Sequence, residues 1–176
     1  MSKLRKPNQA NRTVISISED VRGSAYLGLV EYLLRSCSAF HLVWRDQAKF
    51  DQEAISIREE LARWELDRWR RSAWPGIRYS TSKPCASVIL YKTDPRQIEI
   101  LKRPGGLFDW VPPKFPEDIG FYDKAGDCCF ATVSHEKEGW LLNADLISAC
   151  PIKLAGTEEE WSEAEMQLLR PATVQL

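Results

Sequence analysis

Apolar and polar residues alternate along several stretches of the chain, and that alternation marks them as strands. In 38–45, Phe40, Leu42 and Trp44 take one parity and His41, Val43 and Arg45 the other. Side chains on a strand point to opposite faces with period two, so the stretch predicts a strand with one strongly apolar face. The run ASVILY at 86–91 is almost continuously apolar, the pattern of a central strand covered on both sides. Between Pro112 and Leu142 the pattern predicts a β-meander, with strands at 119–123, 128–134 and 140–142 and turns at 124–126 and 136–139. Phe121, Phe130, Thr132, Trp140 and Leu142 are its expected cross-strand contacts. The short β-branched run 14–17 reads as an edge strand.

Helical spacing appears in two long segments. Val21, Ala25, Leu29 and Tyr32, flanked by Tyr26, Leu27, Val30, Leu33 and Leu34, form a wide apolar stripe. It predicts a largely buried helix over 19–36, with Ser18 as N-cap and Glu19 and Asp20 in the first turn. A longer helix is predicted over 46–74, ended by Trp74-Pro75-Gly76. Phe50, Ala54, Ile57, Leu61 and Trp64 make one stripe on it, and Ile55, Ala62, Leu66, Trp69 and Ala73 make a second. Two stripes need two covers: the sheet on one side, and another helix or another chain on the other. The acid-first pairs Glu59–Arg63 and Asp67–Arg71 add only about 0.2–0.5 kcal/mol each, too little to create the helix.

The remaining segments carry local signals. Residues 96–103 read either as a short helix opened by Asp94-Pro95 or as an extended run. Residues 107–115, with Trp110, Pro112 and Pro113, are expected to drape over the surface as a loop. Thr157 followed three residues later by Glu160 is a capping-box signature, predicting a helix over 158–169 with an acidic face. Residues 1–12, with Lys3, Arg5, Lys6 and Arg12, are expected to form a mobile basic arm ahead of one domain at 13–176. The whole predicts an α+β fold: a mostly antiparallel sheet packed against two or more helices, with Phe40, Leu42, Leu61, Ile89, Phe121 and Phe130 in the core.

Composition narrows the function classes. The 176 residues are 44% hydrophobic and 28% charged, ordinary for one cored domain, and the net charge of −1 makes the chain no electrostatic trap for nucleic acid. The most apolar stretch, 25–34, is interrupted by Glu31, and the N-terminus has no apolar core of a secretory signal. Five cysteines at 37, 85, 128, 129 and 150 match no disulfide framework, so reduced thiols in the cytoplasm are expected.

Candidate chemistry is thin. Cys128 or Cys129 with His135 and Glu136 supplies the residue types of a thiol nucleophile, a base and an orienting acid. Six residues along a strand, however, separate Cys129 from His135 by roughly 20 Å. Ser134 lacks a Gly-x-Ser-x-Gly elbow, and Cys37 and His41 sit on a helix end and a strand rather than one helical face. No metal or cofactor is expected, and an enzyme built on the region from Pro112 to His135 is the less favoured reading. The stretch from Arg63 to Trp74 interleaves cations with indoles, as protein interfaces do. Nearby Glu59, Glu60, Glu65 and Asp67 almost cancel that charge, which disfavours the alternative of a nucleic-acid accessory protein. The expected binding residues are Arg68, Trp69, Arg70, Arg71, Trp74 and Trp110, together with the acidic Glu158, Glu159 and Glu163. In size and texture the chain resembles small bacterial immunity and antitoxin proteins, which neutralise a toxin by covering its active surface. The resemblance implies a protein partner, a toxin or a copy of the chain itself.

Overall fold

The computed structural model describes residues 12–80, 83–150, 156–162 and 166. Its strands are β1 (Arg12–Ile17), β2 (Ala39–Arg45), β3 (Glu65–Arg71), β4 (Ala73–Trp74), β5 (Ile77–Arg78), β6 (Ala86–Lys92), β7 (Glu117–Tyr122), β8 (Cys128–Val133), β9 (Glu138–Leu141) and β10 (Gly156–Trp161). Among the described residues eight of them form one antiparallel sheet in the order β10-β1-β9-β8-β7-β2-β6-β3, and β4 pairs with β5 as a separate small hairpin. The helices are α1 (Gly23–Ser36), α2 (Gln52–Leu61), α3 (Ile98–Leu101) and α4 (Ala144–Ala149). The domain is α+β.

The main core lies between the helices and one face of the sheet, where Tyr26, Leu29, Leu33, Ile57 and Leu61 meet Phe40, Leu42, Ile89, Phe121 and Phe130. All six residues expected in the core are buried. The opposite face is covered too, in smaller patches. Val43, Ala86 and Val88 pack under Trp74 of the hairpin, and Ala39, Leu90 and Tyr122 form another cluster. Burial on both faces explains why six of the seven β2 residues are inaccessible, His41 among them. The His41 ring lies over Gly120, where a Cβ would come within 2.3 Å of its Cε1. Its Nδ1 meets the Tyr122 hydroxyl at 2.8 Å, and burial lowers its pKa to about 3, so the ring is neutral.

The long helix expected over 46–74 is corrected. Asp51 caps α2 by accepting from the Glu53 and Ala54 N–H groups, and the helix ends at Leu61. One turn over Ala62–Trp64 leads into β3, which pairs with β6 from Glu65↔Tyr91 to Arg71↔Ala86. An unpaired edge of β6 offers a ladder of backbone bonds, and two weak charge pairs do not outweigh it. Neither pair forms a salt bridge: Asp67 accepts from the Arg68 N–H, and the Arg63 guanidinium lies 4.0 Å from the Trp64 ring centre.

Other expectations shift as well. α1 begins at Gly23, not Ser18, because Arg22 is held outside the helix by its bridge to Gly106 and its fork onto Asp109. Residues 158–161, the start of the predicted C-terminal helix, belong instead to strand β10, whose register Val14↔Glu159 completes the open side of β1; residues 163–165 and 167–169 of that helix lie outside the described residues. Arg12 belongs to β1 rather than to a basic arm, and residues 1–11 lie outside the described residues. The segment at 107–115 is not a surface loop: Leu107, Phe108, Trp110 and Phe115 are core residues. Residues 95–101 are helical, the first of the two alternatives for this stretch, with Asp94 and Gln97 forming a capping box.

Candidate functional site

Two polar regions stand out, and both grow from the segment that leaves α2 for the sheet. The first is the outer edge. β3 ends the sheet and pairs, among the described residues, with β6 alone. Alternation sends Trp69 to the hairpin face, where it packs against both small clusters with the Arg71 guanidinium 5.7 Å from its ring centre. Arg68 and Arg70 take the helix face. Arg68 forks onto Glu65 at 3.0 and 2.8 Å, and Arg70 donates to Asp46 at 2.6 Å and to Ser87 at 3.2 Å.

Between this strand and α2 runs a groove of about 600 Å³. Trp44 and Phe50, with ring centres 4.9 Å apart, belong to its lining. Ile55, Arg58 and Ala62 contribute the α2 wall, and Glu65 and Arg68 the β3 wall. Arg58 sits 5.3 Å from the Trp44 ring centre, a cation–π arrangement. Ile55 is 41% exposed and Leu66, next to the groove, 49%; they are the exposed large hydrophobics among the described residues. Ile55, Ala62 and Leu66 all come from the second apolar stripe, the one in need of a cover beyond the sheet. β3 replaces the C-terminal half of the expected helix, and of that stripe Ile55 and Leu66 are exposed whereas Trp69 packs against the hairpin-face clusters.

The second region is a bulge in β7. β2 pairs Leu42 with Ile119 but Val43 with Glu117, so Asp118 is the extra residue, at a left-handed φ of 46°. Its carboxylate is fully buried and accepts from the Ser134 N–H at 2.7 Å and from Trp74 Nε1 at 2.8 Å. Glu117, also buried, accepts from Arg45 Nη1 at 3.0 Å and stands 3.2 Å from His135 Nδ1. Burial pushes the Asp118 carboxyl up from 3.8 to about 7, opposed by its two N–H donors and by His135, and reinforced by Glu117. Trp74 is delivered by the β4–β5 hairpin, whose Gly76, at φ 84°, sits so close to Val133 that a Cβ would meet Cγ2 at 2.5 Å.

The bulge can orient an imidazole, but it assembles no nucleophile beside it. Cys128 and Cys129 open β8, whereas His135 follows its end. Ser134 shares its hydroxyl with Thr132 at 3.4 Å. Among the described residues no group of histidine, cysteine, aspartate and glutamate could hold a metal, and no helix is long and apolar enough to cross a membrane.

Of the expected binding residues, Arg68, Trp69, Arg70 and Arg71 come together on the β3 edge. Trp74 and Trp110 are core residues, the latter with its Nε1 on the Tyr26 hydroxyl at 3.0 Å. Glu158 and Glu159 are exposed on β10 at the far end of the sheet, and Glu163 lies outside the described residues. Sequence reasoning missed Arg45, Asp46 and Arg58, charged residues that directly follow the apolar stretches of β2 and α2. It also missed the weight of the adjacent acids Glu117 and Asp118, whose signal was two carboxylates in a row at the head of an apolar strand. No protein-family model, curated protein or solved structure matches this chain.

Proposed function

We propose that the chain is a protein-binding domain whose β3 edge and adjoining groove receive a partner protein. The observation that carries this reading is a groove walled by arginines over an aromatic floor, with the exposed Ile55 in its lining and the exposed Leu66 one residue after its lining residue Glu65. Apolar anchors beside desolvatable arginine and tryptophan are the usual composition of a binding hot spot. An open edge strand offers a partner backbone groups as well as side chains. The finer form of the proposal is that the partner is a toxin whose active surface is covered, or a second copy of the chain. Nucleic acid is the weaker alternative, because Asp46, Glu59 and Glu65 line the same groove.

The test compares wild type, Leu66→Asp and the control Lys124→Glu, an exposed position on the β7–β8 turn, as baits in the organism of origin. Leu66→Asp is expected to keep the wild-type circular dichroism and Tm while losing a partner that the control retains. Equal retention by all three contradicts the proposal. Sedimentation of the purified protein over a concentration series separates the copy from a foreign partner. A steep fall of log K with log salt would transfer the reading to nucleic acid.

A further inference from the structure

α1 ends at Cys37, whose N–H closes the helix on the Leu33 carbonyl, and the N–H of the next residue, Ser38, bonds the Tyr122 carbonyl. This junction sets Cys37 against β8, where Cys129 Sγ lies 3.1 Å from Cys37 Sγ. The two residues are 92 positions apart and buried at 6% and 1% exposure. Both are free thiols. Two sulfurs sharing one hydrogen at this separation need only a small side-chain movement to reach the roughly 2.05 Å of an S–S bond. Their backbones are held by a helix end and by an interior strand, so the pair is presented rather than assembled by chance encounter.

We propose that Cys37 and Cys129 are a redox-sensitive pair, oxidised in place to a disulfide by a hydroperoxide small enough to enter the core. Cys37, the more accessible of the two, reacts first. The hydrogen shared with Cys37, and then burial, push the Cys129 thiol above the ordinary range, which makes Cys129 the poorer first nucleophile. The Cys37 sulfur attacks one peroxide oxygen, the O–O bond breaks, and the other oxygen leaves as water after taking the thiol proton. Cys37 is then a sulfenic acid. The Cys129 sulfur attacks the sulfenic sulfur, the S–O bond breaks, and the hydroxyl leaves as water with the Cys129 proton. Two thiols and one hydrogen peroxide give one disulfide and two waters; the sulfurs lose the two electrons that the peroxide gains. The product ties the α1–β2 junction to β8 across a long loop, a link that restricts the unfolded chain.

The experiment treats the native full chain with hydrogen peroxide and counts thiols after denaturation. The five free thiols are expected to fall by two, and the intact mass to fall by two hydrogens. The peptide map is expected to join the peptides containing Cys37 and Cys129. Tm is expected to rise by several degrees and to return with dithiothreitol. Cys128→Ser and Cys150→Ser are expected to keep the link, and Cys129→Ala to trap a sulfenic acid on Cys37. Persistence of all five thiols, oxygen addition without hydrogen loss, or a link through Cys128 or Cys150 overturns the proposal. The wild-type peptide map alone decides between these outcomes, even where a cysteine variant fails to fold.

Discussion

The β7 bulge and the β3 edge use the same residue types, tryptophan, arginine and carboxylate, to opposite ends. At the bulge Trp74, Arg45, Glu117 and Asp118 satisfy one another, and Trp74, Glu117 and Asp118 are buried. At the edge Arg68 pairs with Glu65, Arg70 with Asp46 and Arg71 with the Trp69 ring, but Arg68 and Arg70 face water and Ile55 and Leu66 stand exposed. Burial decides what each set does. A buried carboxylate that loses its donors keeps a large desolvation cost, so the inner set fixes structure. An exposed ion pair contributes little to folding and can be traded for contacts with a partner at small cost.

The largest expected effect therefore lies inside. Trp74→Ala removes the indole that covers Val43 and Val88 and the N–H that meets Asp118, and a loss of about 3–5 kcal/mol is expected in denaturant unfolding. Trp74→Phe keeps most of the packing without the donor, and about 1–3 kcal/mol is expected. Equal and negligible losses for both would show that the hairpin does not clamp the bulge.

Next comes the titration of Asp118. Its folded pKa, about 7, stands above the ordinary 3.8, so between these values the folded state holds a proton that the unfolded state has released. The stabilisation is complete below about pH 4 and is lost as pH rises through 7. Asp118→Asn, which keeps an acceptor and tolerates the left-handed φ, is expected to flatten that part of the stability–pH curve. An unchanged slope would locate the titration elsewhere.

At the edge the expected folding effects are small. Leu66→Asp on this exposed position is expected to change stability by less than about 0.5 kcal/mol. Arg58→Ala, which strips the cation from Trp44, is expected to cost about 0.5–1 kcal/mol. A loss of several kcal/mol from either would make the groove part of the folding core.

The contrast also explains what could be read from the sequence. The strands at 38–45, 86–91, 119–123 and 128–134 were legible because each carries a local signal, period-two alternation at 38–45 and an almost unbroken apolar run at 86–91 among them, and each lies within the sheet, where neighbours reinforce it. The stretch from Leu66 to Trp74 was not, since Leu66, Trp69 and Ala73 fit a helical spacing, whereas the ladders that capture the stretch come from β6, some twenty residues later, and, for Ala73 and Trp74, from β5. The capping-box signature at Thr157 failed for the same reason: β1 offered Thr13, whose hydroxyl reaches Glu160 at 2.9 Å, and the backbone pairing went with it. Of the site, the cluster from Arg68 to Arg71 was visible as a pattern of residue types, and two members of the second apolar stripe, Ile55 and Leu66, are exposed. Asp46, Arg45 and Arg58 join the groove only through tertiary approach, which no local spacing records. Trp74 and Trp110 were misplaced because an indole one or two residues before a proline reads the same whether it caps a loop or plugs a core.

The proposed recognition surface is tested most directly by site-specific photo-crosslinking in the organism of origin, with a benzophenone side chain placed singly at Ile55, Leu66, Arg35 and Lys124. Ile55 lines the groove, Leu66 is the exposed neighbour of its lining residue Glu65, and Arg35 and Lys124 are exposed positions outside its lining. One discrete protein adduct is expected, shared by the Ile55 and Leu66 probes, absent from the other two, and lost when Arg68→Glu and Arg70→Glu are added. Adducts of equal yield at all four positions, or at Arg35 and Lys124 alone, would contradict a partner seated on the β3 edge.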